Sequence, residues 1–270
     1  RWLTLTEQND IEVHVSPILA ADTLRQFLWH SAFGCLVTSA TLTALGRFDR
    51  FSQRAGLPRS AVCTMAPSPF KYAEKGVLRI PDLGADPRDS AGHSAAIIVH
   101  LPAILEQALG SLVLFSSRRQ MLEVYAGLGG AFRQRIFVQG DLSKQELIRQ
   151  HRSRVDDKQQ SIIFGLASFA EGVDLPGHYC EHVVIAKIPF AVPDDPVEAA
   201  LSEWIERNGG NPFMEIAVPD ACLRLIQACG RLLRNEEDSG TVTLLDRRLV
   251  TQRYGKAILN ALPPFRRDID

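Results

Sequence analysis

Short, continuously apolar segments alternate with amphipathic segments over most of the chain. The runs at 111–115, 161–165 and 240–245 contain no charged residue, which predicts strands that are buried on both faces. The segments between them repeat apolar residues every three or four positions, which predicts helices. We therefore expect an α/β fold, with a parallel sheet and helices on both faces.

The same patterns predict the individual elements. Thr43 suits the N-cap of a helix, and Ser143 with Glu146 forms a capping box for another. We predict strands at 11–15, 35–38, 111–115, 135–138, 161–165, 182–188 and 240–245. We interpret 58–93 as mostly loop, with strand-like pieces at 61–65 and 76–80. We predict further helices at 23–30, 95–109, 119–128, 197–208, 220–233 and 252–262.

Composition adds few constraints. The chain has 270 residues, 46% of them hydrophobic and 23% charged, with a net charge of −1, so any basic surface for nucleic acid must be local. The five cysteines include no CxxC pair and the seven histidines have no ligand spacing, so no metal site is indicated. We expect a cytoplasmic protein without a membrane segment, and, since the chain begins at Arg1 rather than Met, part of a longer polypeptide.

The run from Gln227 to Arg234 carries the most specific candidate chemistry. In a helix over 220–233, Gln227, Arg231 and Arg234 share one face, opposite an apolar face. Two guanidinium groups on a rigid element suit an anion whose charge rises during reaction, such as a γ-phosphoryl group in transfer. The alternative is ordinary: arginines late in a helix favour its negative end or face solvent.

Five segments in order resemble the motifs of superfamily 2 helicases. They are Thr38–Leu42 (the SAT motif), Leu112–Ser117, Phe137–Gly140, Ser168–Gly177 and Gln227–Arg234. The sequence S-F-A-E-G-V-D-L-P-G is similar to the corresponding motif of the XPD-like branch, and within that branch to the motif of DinG-type bacterial DNA helicases. The resemblance implies a RecA-like second motor domain at 43–270, preceded at 1–42 by the tail of the first motor domain.

The resemblance also implies the site. Arg231 and Arg234 would form the arginine finger, with Gln227 as a positioning group. The residues expected to face ATP are Gly172, Asp174, Gly230 and Thr41. The residues expected to face DNA are Ser116, Ser117, Arg118, Gln139 and Ser168.

The residues themselves leave plainer interpretations open. Ser116, Ser117 and Arg118 place short donors and a cation at a helix start, which suits a phosphodiester, but a serine there can simply cap the helix. Asp174 can accept from a ribose hydroxyl, or it can bond its own backbone.

The expected function is therefore that of the C-terminal motor domain of an ATP-dependent DNA helicase with 5′→3′ polarity. No Walker A or Walker B motif occurs, so we expect ATP and Mg²⁺ to be used only with the first motor domain, and the chain alone to be inactive. An iron–sulfur cluster is expected only in the missing part. The expected partners are single-stranded DNA and the first motor domain, in a monomer. The alternatives are a non-catalytic nucleic-acid-binding module, or the helicase part of a DinG-like nuclease or CRISPR-associated protein.

Overall fold

A computed structural model of the chain describes residues 1–39, 41–166, 169, 172–191 and 195–269. The strands are β1 (Trp2–Leu5), β2 (Ile11–His14), β3 (Gly76–Ile80), β4 (Gly110–Phe115), β5 (Ile136–Val138), β6 (Ser161–Leu166), β7 (His182–Ile185), β8 (Gly240–Leu244) and β9 (Arg266–Ile269). The α-helices are α1 (Ala21–Leu24), α2 (Asp49–Ala55), α3 (Tyr72–Lys75), α4 (Ser90–Ile104), α5 (Arg118–Gly127), α6 (Gly130–Arg133), α7 (Lys144–Asp156), α8 (Pro196–Arg207), α9 (Val218–Cys229), α10 (Arg248–Thr251) and α11 (Arg253–Ala261).

The chain divides into two compact units. Unit 1 comprises Arg1–Ala66 and Ala191–Asp220, and unit 2 comprises Pro67–Phe190 and Ala221–Asp270. Unit 1 contains an antiparallel hairpin of β1 and β2 and a small apolar core, in which Leu19 packs against residues of α8 and of the π-helical turn before α9. The boundary at residue 42 between two motor domains stays a prediction.

Unit 2 is built on a seven-stranded sheet with the order β5-β6-β4-β7-β8-β3-β9. Every neighbouring pair in this sheet is parallel. The prediction of an α/β fold with a RecA-like parallel sheet is therefore confirmed. Strand β9 was not predicted, because three of its four residues are charged, unlike those of a buried strand.

Both faces of this sheet are covered. Val113 and Phe115 of β4 belong to one buried cluster with apolar residues of α4 and α5. Leu112 and Leu114 alternate with them, so they face the opposite side, and they too are at most 2% exposed. Burial on both faces explains why this strand is continuously apolar.

Several local predictions were wrong. Residues 35–38 are not a strand, the piece at 61–65 is loop rather than strand-like, and the helix expected after Thr43 begins only at Asp49. Helix α4 begins at Ser90, earlier than predicted, because the Asp89 side chain accepts the Gly92 amide at 3.1 Å and caps it. The cap at Ser143 is confirmed, since its hydroxyl accepts the Glu146 amide at 3.3 Å.

Candidate functional site

The two arginines of the motif helix, called here the arginine pair (Arg231 and Arg234), lie beyond the end of that helix. Helix α9 ends at Cys229 rather than at 233, so the prediction that both arginines project from one face of a helix was wrong. They occupy the segment between α9 and β8. Their side chains nevertheless converge, because Arg231 Nη1 and Arg234 Nη2 both donate to the Val173 carbonyl, at 2.9 and 2.8 Å.

Asp238 explains why the chain turns here. One oxygen of its carboxylate accepts the amides of Arg234 and Asn235, at 2.8 and 2.9 Å, and the other accepts the Gly177 amide at 3.1 Å. The residue is only 6% exposed, so these hydrogen bonds are shielded from water. An Asp that bonds nearby amides competes with helix continuation. Sequence reasoning missed Asp238; an Asp four residues after the last motif arginine was the available signal.

The loop that receives the arginine pair is Gly172–Asp174. Gly172 adopts a left-handed φ of +70°, which favours glycine, and Val173 is buried. The Asp174 carboxylate is 71% exposed and lies 3.4 Å from Arg234 Nε. Arg152 of α7 donates to the Asp174 carbonyl at 2.7 Å. The structure thus brings together Arg231, Arg234 and Asp174, as expected, and adds Arg152.

Three guanidinium groups contact this loop. Arg152 donates to the Asp174 carbonyl, and Arg231 and Arg234 donate to the Val173 carbonyl. The Asp174 carboxylate lies beside Arg234. Arg234 Nε is buried 3.4 Å from the Asp174 carboxylate and makes no hydrogen bond within the described part of the chain. Guanidinium groups bind phosphate oxygens through charge-assisted hydrogen bonds. The donor set therefore fits the phosphate end of a nucleotide.

Metal ligation has no support at this position. Among the described residues, no group of three or more His, Cys, Asp or Glu side chains could hold a metal ion. Cys180 is fully buried close to the arginine pair, and burial raises the pKa of its thiol to about 12. Its sulfur therefore stays protonated, and a protonated thiol is a poor metal ligand.

Gln227 and Gly230 flank the helix end. The Gln227 carbonyl accepts from Arg231 Nε at 3.3 Å, which helps to direct that guanidinium. Gly230 is partly buried, and a Cβ added there would lie 3.3 Å from the Ile226 carbonyl oxygen, tighter than most real contacts. These two residues therefore lie beside the arginine pair, and their roles towards a nucleotide stay predictions.

The residues expected to face DNA lie at a different place in unit 2. Ser116, Ser117 and Arg118 follow the carboxyl end of β4 and are exposed, while Gln139 and Gly140 follow the carboxyl end of β5. The guanidinium of Arg118 lies over Gly140, so that a Cβ added there would be 3.1 Å from Arg118 Nη1. We call these five residues the α5 surface.

Two hydroxyl and amide groups of the α5 surface already have structural partners. Ser117 is the N-cap of α5, and its hydroxyl accepts the Gln120 amide at 3.2 Å. The Gln139 side-chain oxygen accepts the Leu166 amide at 2.8 Å and so holds the end of β6. Ser116 and Arg118 remain the exposed groups best suited to contact a phosphate.

Two predicted residues cannot be added to either cluster. Ser168 lies outside the described residues, as do Ala40, Ala170 and Glu171 of the motifs. Thr41 belongs to unit 1, where its amide donates to the Ser39 hydroxyl at 3.2 Å.

In the described part of the chain, no helix is both long and apolar enough to cross a membrane.

Comparison with known proteins adds independent findings. Residues 101–265 match the family described as the helicase C-terminal domain. The chain is 42% identical, over its whole length, to the ATP-dependent DNA helicase DinG of Photobacterium profundum, of which it covers 40%. It is 36% identical over 98% of its length to the DinG of Escherichia coli (strain K12), of which it covers 38%.

A solved structure titled XPD_Helicase superposes on 73% of the chain with a TM-score of 0.55 and 22% identity, and the match covers 36% of that protein. At this identity the match supports the fold alone. The chain thus spans about two fifths of the length of the relatives reported above. Together, the family match and the two DinG relatives confirm the resemblance to the C-terminal region of DinG-type helicases that the five motifs indicated.

Proposed function

Because the chain belongs to the helicase C-terminal domain family, we propose that it is the second motor domain of an ATP-dependent DNA helicase. It closes against the first motor domain of the same polypeptide to complete an ATP site. Reopening after hydrolysis moves the protein along single-stranded DNA, with 5′→3′ polarity by family resemblance. The chain alone does not hydrolyse ATP, since its sequence contains no Walker A or Walker B motif.

The observation that carries this proposal is the convergence of the arginine pair on the Val173 carbonyl. Guanidinium groups held in place before reaction stabilise the charge that develops on a transferred phosphoryl group without reorganising at that moment. Asp174 is exposed beside them and can orient Arg234 or accept from a ribose hydroxyl. ATP supplies the phosphoanhydride, and the first motor domain supplies the phosphate cradle and the ligands of Mg²⁺.

The α5 surface serves the other substrate in this proposal. Arg118 and the exposed Ser116 contact the sugar–phosphate backbone, which positions a strand without reading its sequence. Ser168 is proposed for the same path from its motif alone. Because few phosphates are neutralised, the isolated chain binds single-stranded DNA weakly and with marked salt sensitivity.

The decisive variant is Arg234→Ala, made in a protein that joins this chain to its first motor domain. Loss of an arginine finger lowers the rate of phosphoryl transfer by about 10³–10⁵-fold. We expect DNA-stimulated ATP hydrolysis to fall by that order, with little change in DNA affinity. The matched control is Arg224→Ala, since Arg224 lies on α9 and donates to the Pro189 carbonyl at 3.3 Å, away from the arginine pair.

The same variant separates the two classes of function. If the chain were a non-catalytic nucleic-acid-binding module, its arginines would simply hold phosphates. Arg234→Ala would then weaken the binding of DNA to the isolated chain, and hydrolysis in the joined protein would stay within the range of the Arg224→Ala control. That pattern would exclude the arginine-finger role.

A further inference from the structure

We propose that Arg152 is a positioning residue that holds the Gly172–Asp174 loop in the conformation that aligns the arginine pair. The inference rests on the proposed function and extends it to a residue outside the five motifs. Arg152 acts through the loop and does not touch the reacting phosphate in this proposal.

Arg152 is attached to the loop and to the segment that follows it. Its Nη2 donates to the Asp174 carbonyl at 2.7 Å, and its guanidinium carbon lies 5.3 Å from the centre of the Tyr179 ring. The Tyr179 hydroxyl donates to Asp156, at the end of α7, at 2.8 Å. Helix α7 therefore contacts residues 174–179 at several points. The cation–π contact between Arg152 and Tyr179 adds to the stability of this attachment.

Buried His151 reinforces this attachment from the preceding position of α7. Its Nε2 donates to the Tyr179 carbonyl at 2.7 Å, and burial lowers the pKa of the ring to about 4. The imidazole is therefore neutral near pH 7, and Nε2 carries its hydrogen. The buried hydrogen bond from His151 fixes α7 relative to Tyr179. Arg152, the next residue of the helix, is thereby held where it can bind the Asp174 carbonyl.

The geometry of the loop explains why such an attachment matters. The Val173 carbonyl accepts both members of the arginine pair, and the next carbonyl, that of Asp174, accepts Arg152. On the other side of Val173, Gly172 has a φ of +70° and no side chain to restrain it. Arg152 therefore restrains the Val173 carbonyl from the Asp174 side of the loop, in addition to the burial of the Val173 side chain.

Arg154 offers a closely matched control on the same helix. It is half-buried like Arg152, its Nη1 donates to the Gln134 carbonyl at 2.7 Å, and its guanidinium carbon lies 4.3 Å from the centre of the Phe137 ring. It thus makes the same two kinds of contact, but with the segment around the start of β5 instead of the loop. Alanine variants at the two positions remove equivalent chemistry from different places.

The experiment compares Arg152→Ala, Arg152→Lys and Arg154→Ala in the protein joined to its first motor domain. A displacement of about 1 Å near reacting groups can cost about 100-fold in rate, so we expect Arg152→Ala to lower kcat by about 10- to 100-fold. The KM for ATP should change by less than about threefold, because the phosphate cradle is elsewhere. Arg152→Lys, which keeps the charge and a donor, should recover part of the loss, and Arg154→Ala should change kcat less than about twofold.

A second measurement needs no hydrolysis. In the chain alone, amide hydrogen exchange in peptides that cover 172–179 should be at least about tenfold faster in Arg152→Ala, and unchanged there in Arg154→Ala. If Arg152→Ala fails to fold, Arg152→Lys decides by the same two readouts, with smaller shifts in the same direction.

The outcomes separate this inference from the proposed function. Equal losses of kcat in the Arg152 and Arg154 variants would reduce Arg152 to a general structural role and overturn the inference. Unchanged kcat and exchange in the Arg152 variants, with hydrolysis abolished by Arg234→Ala, would overturn the inference and leave the proposed function standing. Full hydrolysis in Arg234→Ala would overturn both.

Discussion

The arginine pair and the α5 surface carry the same kind of group in contrasting surroundings. Arg231 and Arg234 are partly buried, and each donates to a backbone carbonyl more than fifty positions away in the sequence. Arg118 of the α5 surface is exposed and lies over the neighbouring Gly140. The first cluster is fixed by long-range contacts before any ligand binds, whereas the second presents charge on a helix start.

The difference predicts how each cluster responds to substitution. A site organised in advance loses rate when its supports are removed, even where those supports never touch the ligand. An exposed cation contributes to DNA affinity through the release of counterions, so its effect is small and depends on salt. Three measurements test this contrast, beginning with the largest expected effect.

Asp238→Ala should produce the largest loss of stability. The substitution removes the acceptor of three backbone amides at a buried position, and hydrogen bonds to a charged group contribute about 1.5–3 kcal/mol. We expect the free energy of unfolding to fall by about 3 kcal/mol in urea titrations of the chain. Asp195→Ala is the control, since the exposed Asp195 caps α8 and its loss should cost about 1 kcal/mol. Equal losses in both variants would contradict the organised state of the arginine pair.

His151 should make the support of the loop sensitive to pH. Its pKa is about 4 in the folded chain, because of burial, and near 6.5 when exposed, so its contribution to stability is complete above pH 6.5 and is lost as the pH falls towards 4. Between pH 7 and pH 5 this loss amounts to about 2 kcal/mol. His151→Gln keeps an NH donor for Tyr179 but cannot ionise there, so its unfolding free energy should fall less over that range. Parallel pH dependence in the two proteins would rule out His151 as the source.

Arg118→Ala should have the smallest effect and a different signature. One phosphate contact to a single strand contributes about 0.7 to the slope of log affinity against log salt concentration, so the slope should decrease by about that amount. Fluorescence titrations of the chain with single-stranded DNA at several salt concentrations measure it. Arg135→Ala, at an exposed arginine before the amino end of β5, should leave the slope unchanged. An unchanged slope in Arg118→Ala would remove Arg118 from the proposed DNA path.

The sheet could be predicted from the sequence because its signal is local. Strands β4, β6 and β8 contain no charged residue, since most of their residues are buried, and a run of that kind is visible in one chain. Strand β9 has the sequence R-R-D-I and is exposed, so only its pairing with β3 identifies it. The strand predicted at 35–38 was wrong for the opposite reason. Its residues are apolar, which suggested burial, but residues such as Leu36 are exposed in the structure.

The candidate site could be predicted only in part. The motifs identified Arg231, Arg234 and Asp174, and the structure does bring these three together. The helical face that was expected to align the arginines does not exist, because α9 ends at Cys229. Arg152 and Asp238 were missed because their importance comes from backbone groups far along the chain, and nothing in the sequence marks which amide or carbonyl a side chain will meet.

The two outer strands of the seven-stranded sheet bear on behaviour at high concentration. At one edge β9 carries Arg266, Arg267 and Asp268, all exposed, and at the other β5 has only three residues. A charged or very short edge strand pairs poorly with a strand of a second molecule through main-chain hydrogen bonds. The fold therefore discourages self-association through its own sheet, and replacing Arg266 and Arg267 by valine would turn that edge into a template for aggregation.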